Sequence, residues 1–244
     1  MGLCESSKNE NIKDKTKSGQ DDRILHSFKS LAITAKSVCK ILCDQKHLGC
    51  GFLIQLFKRN KQFFCLMTTE QVVNKKMIED KVTIDIKYDV ESKNLEIKLN
   101  SEERSIKDFI ELNMDIVVIE ILPSDNIPQE YFLLPLKDYM DNYNKLINKE
   151  IMILHYANGE INSSFGKINR LVESKNSGFV HDACADKGAS GSPIFLEGNT
   201  RVIGINKSEN KNKYTEECFG DFIWPIFKFF KKYSEKNTED KKYK

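Results

Sequence analysis

Apolar residues come in short runs divided by polar turns along most of this chain. Residues 37–43, 49–57 and 63–69 are the first such runs, and the polar stretch 58–62 reads as a hairpin loop between the second and third. Further strands are expected at 81–88, 95–99, 116–122, 150–156, 164–171, 178–181, 193–196 and 201–206. Many short strands with polar turns predict an all-β sandwich or barrel, and argue against a parallel sheet with crossover helices. Near the start, Ile24, Leu25, Phe28, Leu31 and Ile33 recur at close to helical spacing, which predicts a short N-terminal amphipathic helix packed on the body rather than laid on lipid. The late apolar stretch 222–230, with Pro225 near its start, reads as a strand end running into a short C-terminal helix. Pro123, Asp125, Asn126 and Pro128 mark a linker that divides the strands into two halves, about 36–122 and 129–227, within a body spanning 24–227. Residues 1–23 are left as a polar, disordered tail and 228–244 as a helical to frayed Lys-rich tail.

Length adds that 244 residues can bury a sizeable core as one compact unit. A net charge of +2 gives no reason to expect nucleic acid as a partner. No apolar run approaches the ~18 residues that span a bilayer, and the N-terminus lacks the apolar core of a secretory signal, so a cytosolic location is expected. The seven cysteines, Cys4, Cys39, Cys43, Cys50, Cys65, Cys184 and Cys218, are odd in number and follow no framework spacing, as free thiols in a reducing compartment would. Cys39, Cys43, His47 and Cys50 also admit a reading as four metal ligands in a short span. The reading adopted has no metal and no cofactor, because Cys39 and Cys43 fall in a strand-like apolar segment.

Met1-Gly2-Leu3-Cys4-Glu5-Ser6 fits the N-myristoylation pattern, with Gly2 as the acylated amine and Cys4 offering a thiol for palmitoylation. A single myristoyl chain holds a protein only marginally, and charges in the tail roughly cancel, so the second acyl group would supply the stable anchor. The expectation is attachment to the cytosolic face of a membrane; the alternative is a simple frayed terminus.

The chemistry concentrates in Asp186-Lys187-Gly188-Ala189-Ser190-Gly191-Ser192-Pro193. A serine among glycines can leave its hydroxyl exposed while backbone N–H groups converge, which suits a nucleophile beside an oxyanion hole; a glycine-rich turn between strands needs similar residues. Three more segments fall in order ahead of it: Gly49-Cys50-Gly51-Phe52, then Met67-Thr68-Thr69-Glu70-Gln71-Val72-Val73, then Met114-Asp115-Ile116-Val117-Val118. Together, from about residue 36 to 227, these resemble the trypsin-like serine peptidase domain, in its intracellular, non-zymogen form. The resemblance implies two six-stranded antiparallel β-barrels. It places Ser190 as nucleophile, the N–H groups of Gly188 and Ser190 as oxyanion hole and Asp115 as the carboxylate that orients the base. Cys184 would floor the primary specificity pocket, with Asn206 and Lys207 near its wall.

One position departs from that pattern. The residue that matches the catalytic histidine is Gln71, and a carboxamide has no lone pair able to take the serine proton near neutral pH. By analogy with serine proteases, loss of the base removes on the order of 10⁶ in turnover, roughly 8 kcal/mol of barrier, while the oxyanion hole and binding retain about 10³ to 10⁴ over water. The leading reading is therefore a catalytically impaired homologue, a pseudoprotease that holds a peptide or protein ligand in the cleft between barrels. The alternative is an active endopeptidase that uses Ser190 and Asp115 with a non-standard base, for which His26, His47, His155 and His181 are the imidazoles on offer.

Overall fold

The computed structural model describes residues 30–58, 61–88, 94–157, 159–173, 177–207 and 217–230. Gly2, Cys4, His26, the rest of the expected N-terminal tail, the first part of the expected N-terminal helix and residues 231–244 lie outside the described residues.

Helix α1 (30–36) leads into seven strands: β1 (Val38–Cys43), β2 (Lys46–Lys58), β3 (Lys61–Thr68), β4 (Thr83–Tyr88), β5 (Leu95–Lys98), β6 (Ile106–Asp108) and β7 (Val117–Glu120). They form one sheet in the order β5-β4-β1-β2-β3-β7-β6. Six more strands, β8 (Glu150–Ala157), β9 (Glu160–Leu171), β10 (Gly178–His181), β11 (Pro193–Leu196), β12 (Val202–Asn206) and β13 (Cys218–Phe222), close into a barrel in the order β10-β13-β12-β11-β8-β9. Each ladder is antiparallel. The second half is thus the closed six-stranded barrel that the resemblance implies. The first half is a seven-stranded sheet, and no ladder joins its outer strands β5 and β6 among the described residues.

The continuous apolar runs have a direct physical cause, since the central strands are covered on both faces. On β2, Phe52, Ile54 and Leu56 point into a central cluster, while Leu53 between them points into the interior of the first half. On β8, Met152, Leu154 and Tyr156 join the central cluster, and Ile151 and Ile153 face the inside of the second barrel. The molecule therefore has three apolar bodies: one inside each half, and one between them to which both contribute. By contrast β9 is exposed or half-buried at all its residues but Ile168, and its sequence is correspondingly polar.

Short helices fix the edges. Helix α2 (Lys75–Glu79) starts at Asn74, whose side chain accepts a hydrogen bond from the Met77 N–H at 3.0 Å. Helix α3 (224–230) follows β13 directly. Trp224 is fully buried and stacks on Phe222 and Tyr143 inside the second barrel, while Phe230 crosses to Phe63 of the first half, ring centroids 5.6 Å apart. Residues 228–230, which the sequence places at the start of a helical to frayed tail, continue this helix.

The same alternation separates the four residues that a metal reading would bring together. Cys39 faces the interior of the first half and Cys50 faces the central cluster, so their thiols lie on opposite sides of the sheet. Among the described residues, no group of His, Cys, Asp and Glu side chains is placed to hold a metal ion.

Candidate active site

The candidate residues come together from five elements of the two halves. Thr69 follows β3, Asp115 precedes β7, Ser190 sits in the turn between β10 and β11, Lys207 follows β12 and Asp221 lies on β13.

The Ser190 turn is held mainly by backbone. Its carbonyl accepts the Cys50 N–H at 2.8 Å, Gly191 N–H donates to the Asn206 carbonyl at 2.9 Å, and Asn206 N–H donates to the Ser192 carbonyl at 2.8 Å. The Asn206 side chain adds a bond from Nδ2 to the Ala189 carbonyl at 3.0 Å. Gly188 and Gly191 have φ of +97° and +90°, the left-handed region that a Cβ disfavours. Among the described residues, the N–H groups of Gly188 and Ser190 donate to no main-chain carbonyl, as an oxyanion hole requires. Asn206, expected near a pocket wall, is buried and serves as the buttress of this turn.

The hydroxyl of Ser190 has an unforeseen partner. Its Oγ lies 3.0 Å from Thr69 Oγ1, in a buried hydrogen bond. Gln71, which matches the histidine position, is exposed. Asp115 accepts the Glu70 N–H on Oδ1 at 2.9 Å, and its Oδ2 stands 3.9 Å from Lys207 Nζ. Lys207 Nζ also donates to Asp221 Oδ2 at 3.3 Å, and that same oxygen accepts the Asp115 N–H at 3.4 Å. A lone acid at the head of an apolar strand needs a counter-charge. Lys207, expected beside a pocket, supplies it here. Asp221, an acid only 1% exposed on a strand of apolar residues, completes the cluster.

None of the three described histidines hydrogen-bonds Ser190. His47 lies against Gly188, where a Cβ would come within 2.8 Å of the imidazole Cε1, but its Nε2 is engaged with the Gly49 carbonyl at 2.9 Å. Burial lowers its pKa. His155 is bonded through Nε2 to Ser164 Oγ at 3.0 Å. His181 is fully buried on β10, 5.8 Å from the Phe179 ring.

Burial pushes the His181 pKa down to about 4, and the nearby Asp182 charge opposes that only in part. The native ring thus stays neutral where the unfolded ring, with an ordinary value of about 6.5, takes a proton. Stability from this group is whole above pH 6.5 and is lost progressively as pH falls towards 4. At pH 5.5 the loss is roughly 1–2 kcal/mol. Urea unfolding at pH 7.5 and 5.5 should show that extra loss in the wild type and not in His181→Leu; parallel losses in both would refute the assignment.

The expected pocket floor is also occupied in a way the spacing did not reveal. Cys184 is exposed, and its Sγ lies 2.7 Å from Sγ of the buried Cys218. Cys50 is buried behind the Ser190 turn, its Sγ donating to the Gly188 carbonyl at 3.2 Å and accepting the Tyr156 N–H at 3.4 Å. Burial raises the pKa of that thiol. Of these residues, Asp221 could have been found as a lone acid in Cys218-Phe219-Gly220-Asp221-Phe222; nothing in the sequence marks Thr69 or Cys218.

A closed six-stranded antiparallel barrel beside a seven-stranded antiparallel sheet, with few helices, makes a trypsin-like serine protease fold. Known structures agree. The chain is similar to Deg5, with a TM-score of 0.56 and 16% identity over 86% of this chain and 92% of that one. It is also similar to the MamO protease domain of Magnetospirillum magneticum in its apo form, with a TM-score of 0.53 and 12% identity over 81% of this chain and 97% of that one. No protein-family model and no curated protein sequence matches it.

Proposed function

We propose that this chain is a pseudoprotease: a trypsin-like body that binds a peptide or protein segment in its cleft without cleaving it, and that is tethered to the cytosolic face of a membrane through acylation of Gly2 and Cys4. The observation that carries the first part is the Ser190–Thr69 hydrogen bond at 3.0 Å. A threonine hydroxyl, like the carboxamide of Gln71, cannot act as a general base at neutral pH. Asp115, whose counterpart would steady an imidazolium, instead faces the ammonium of Lys207, a donor with no lone pair to offer. The oxyanion hole and the turn geometry remain, so a bound carbonyl still finds donors while the proton relay is missing.

The test pairs a reactive probe with a binding assay. Purified protein should be unlabelled by a fluorophosphonate and should leave a broad peptide library uncut, while retaining individual members of that library. Labelling that disappears in Ser190→Ala would overturn the pseudoprotease reading, and retention of no peptide would overturn the binding role. Gln71→His supplies the missing imidazole, and labelling gained in that variant supports the reading. For the anchor, a myristate analogue fed to cells should label the wild type and not Gly2→Ala; equal signal in both would sink it.

A further inference from the structure

Cys184 and Cys218 stand apart from the other described cysteines. Cys39, Cys50 and Cys65 are buried within apolar clusters, and burial raises the pKa of each thiol. Cys43 sits at the edge of β1 beside Asp44. Only at residues 184 and 218, among the described residues, do two sulfurs face each other, 2.7 Å apart across 34 residues of sequence. That is closer than two unbonded thiols ordinarily pack and within a small adjustment of the about 2.05 Å of a disulfide. The two also differ in access: Cys184 is exposed, whereas Cys218 is 3% exposed at the start of β13, opposite His181.

We propose that Cys184 and Cys218 form a redox-reactive pair that closes to a disulfide when the protein meets a hydroperoxide. Access sets the order of events. The Cys184 thiolate attacks the peroxide, the O–O bond breaks, an alcohol or water leaves, and Cys184 becomes a sulfenic acid. The Cys218 sulfur then attacks that sulfur and expels water. Two thiols and one hydroperoxide give one disulfide, one alcohol and one water; the two electrons pass from sulfur to the peroxide oxygens. Since the resolving thiol is already in contact, capture outruns further oxidation of Cys184 to the sulfinic acid.

Its place in the fold gives the bond a consequence. Cys184 lies six residues before Ser190, on the segment that leads to Gly188, and Cys218 lies on the strand that carries Asp221. Oxidation would tie the turn that holds the oxyanion donors to the strand beneath the Asp115–Lys207 pair, at the floor of the expected specificity pocket. The pocket role rests on the cleft-binding reading; formation of the disulfide does not.

The test therefore reads the bond itself. Purified full-length protein is treated with hydrogen peroxide, alkylated with N-ethylmaleimide and examined as intact protein and as peptides. The expected result is two alkylations fewer than in the untreated protein, a peptide linking Cys184 to Cys218, and reversal by dithiothreitol. In Cys218→Ser, Cys184 should instead progress to a sulfinic acid, a gain of two oxygens. A link between any other pair, or Cys184 still open to alkylation while peroxide is consumed by other cysteines, would overturn the proposal. So would identical Cys184 products in wild type and Cys218→Ser. Should Cys218→Ser fail to fold, the wild-type peptide map alone decides. Because no ligand enters the measurement, its failure leaves the cleft-binding reading standing, and the reverse also holds.

Discussion

Gly191→Ala is expected to cost more than about 4 kcal/mol of folding stability, or to leave no soluble folded protein. A Cβ at this position would lie 2.0 Å from the Cys50 carbonyl oxygen and 2.7 Å from Thr69's neighbour Thr68 at Oγ1. Neither can retreat easily. The Cys50 carbonyl is in the backbone of β2 and already accepts the Thr68 hydroxyl at 2.7 Å. The φ of +90° adds strain of its own. A control separates the two causes: Gly198 has a φ of +73° but nothing within 4 Å of an added Cβ, so Gly198→Ala should cost only about 1 kcal/mol. Chemical unfolding of both variants reads the difference. A Gly191→Ala protein within about 1 kcal/mol of wild type would mean that the Ser190 turn does not press against β2.

Lys207→Ala should cost about 3–5 kcal/mol, because it leaves the Asp221 carboxylate, 1% exposed, without its cation and removes the charge facing Asp115. The lysine side chain is itself 15% exposed, so solvent screening does not erase the pair. The double variant Lys207→Ala/Asp221→Asn should recover a substantial part of the loss, since the amide needs no counter-charge. Measured by denaturant unfolding, a single-variant loss below about 1 kcal/mol, or no recovery in the double variant, would show that water already neutralises the cluster.

How far the sequence could be read depends on how many neighbours decide each position. Strands β2, β3 and β8 were legible because burial on both faces leaves a nearly unbroken apolar run, a signal that survives without any knowledge of the fold. β6, three residues long with Lys107 and Asp108 in it, was not expected at all, since its place is set by pairing with β7 rather than by its own composition. α2 was missed although Asn74 offered a capping signal, because a five-residue helix has too little periodicity to register. In the site, Ser190 and Asp115 were legible from their settings, a glycine-rich turn and an acid heading an apolar strand. The hydrogen bond to Thr69 and the turn of Lys207 towards Asp115 were not, because each depends on side-chain directions fixed by contacts between distant segments.

The apolar body shared between the halves bears on what a cut in the connecting segment would do. Phe52, Ile54, Met67 and Val118 from one side meet Leu154, Tyr156, Phe195 and Val202 from the other, and Phe230 closes over Phe63. Should a protease nick the chain between β7 and β8, neither fragment could shed its partner without presenting that wall to water. The severed pieces would travel together as a non-covalent heterodimer, and on separation each would be prone to clump.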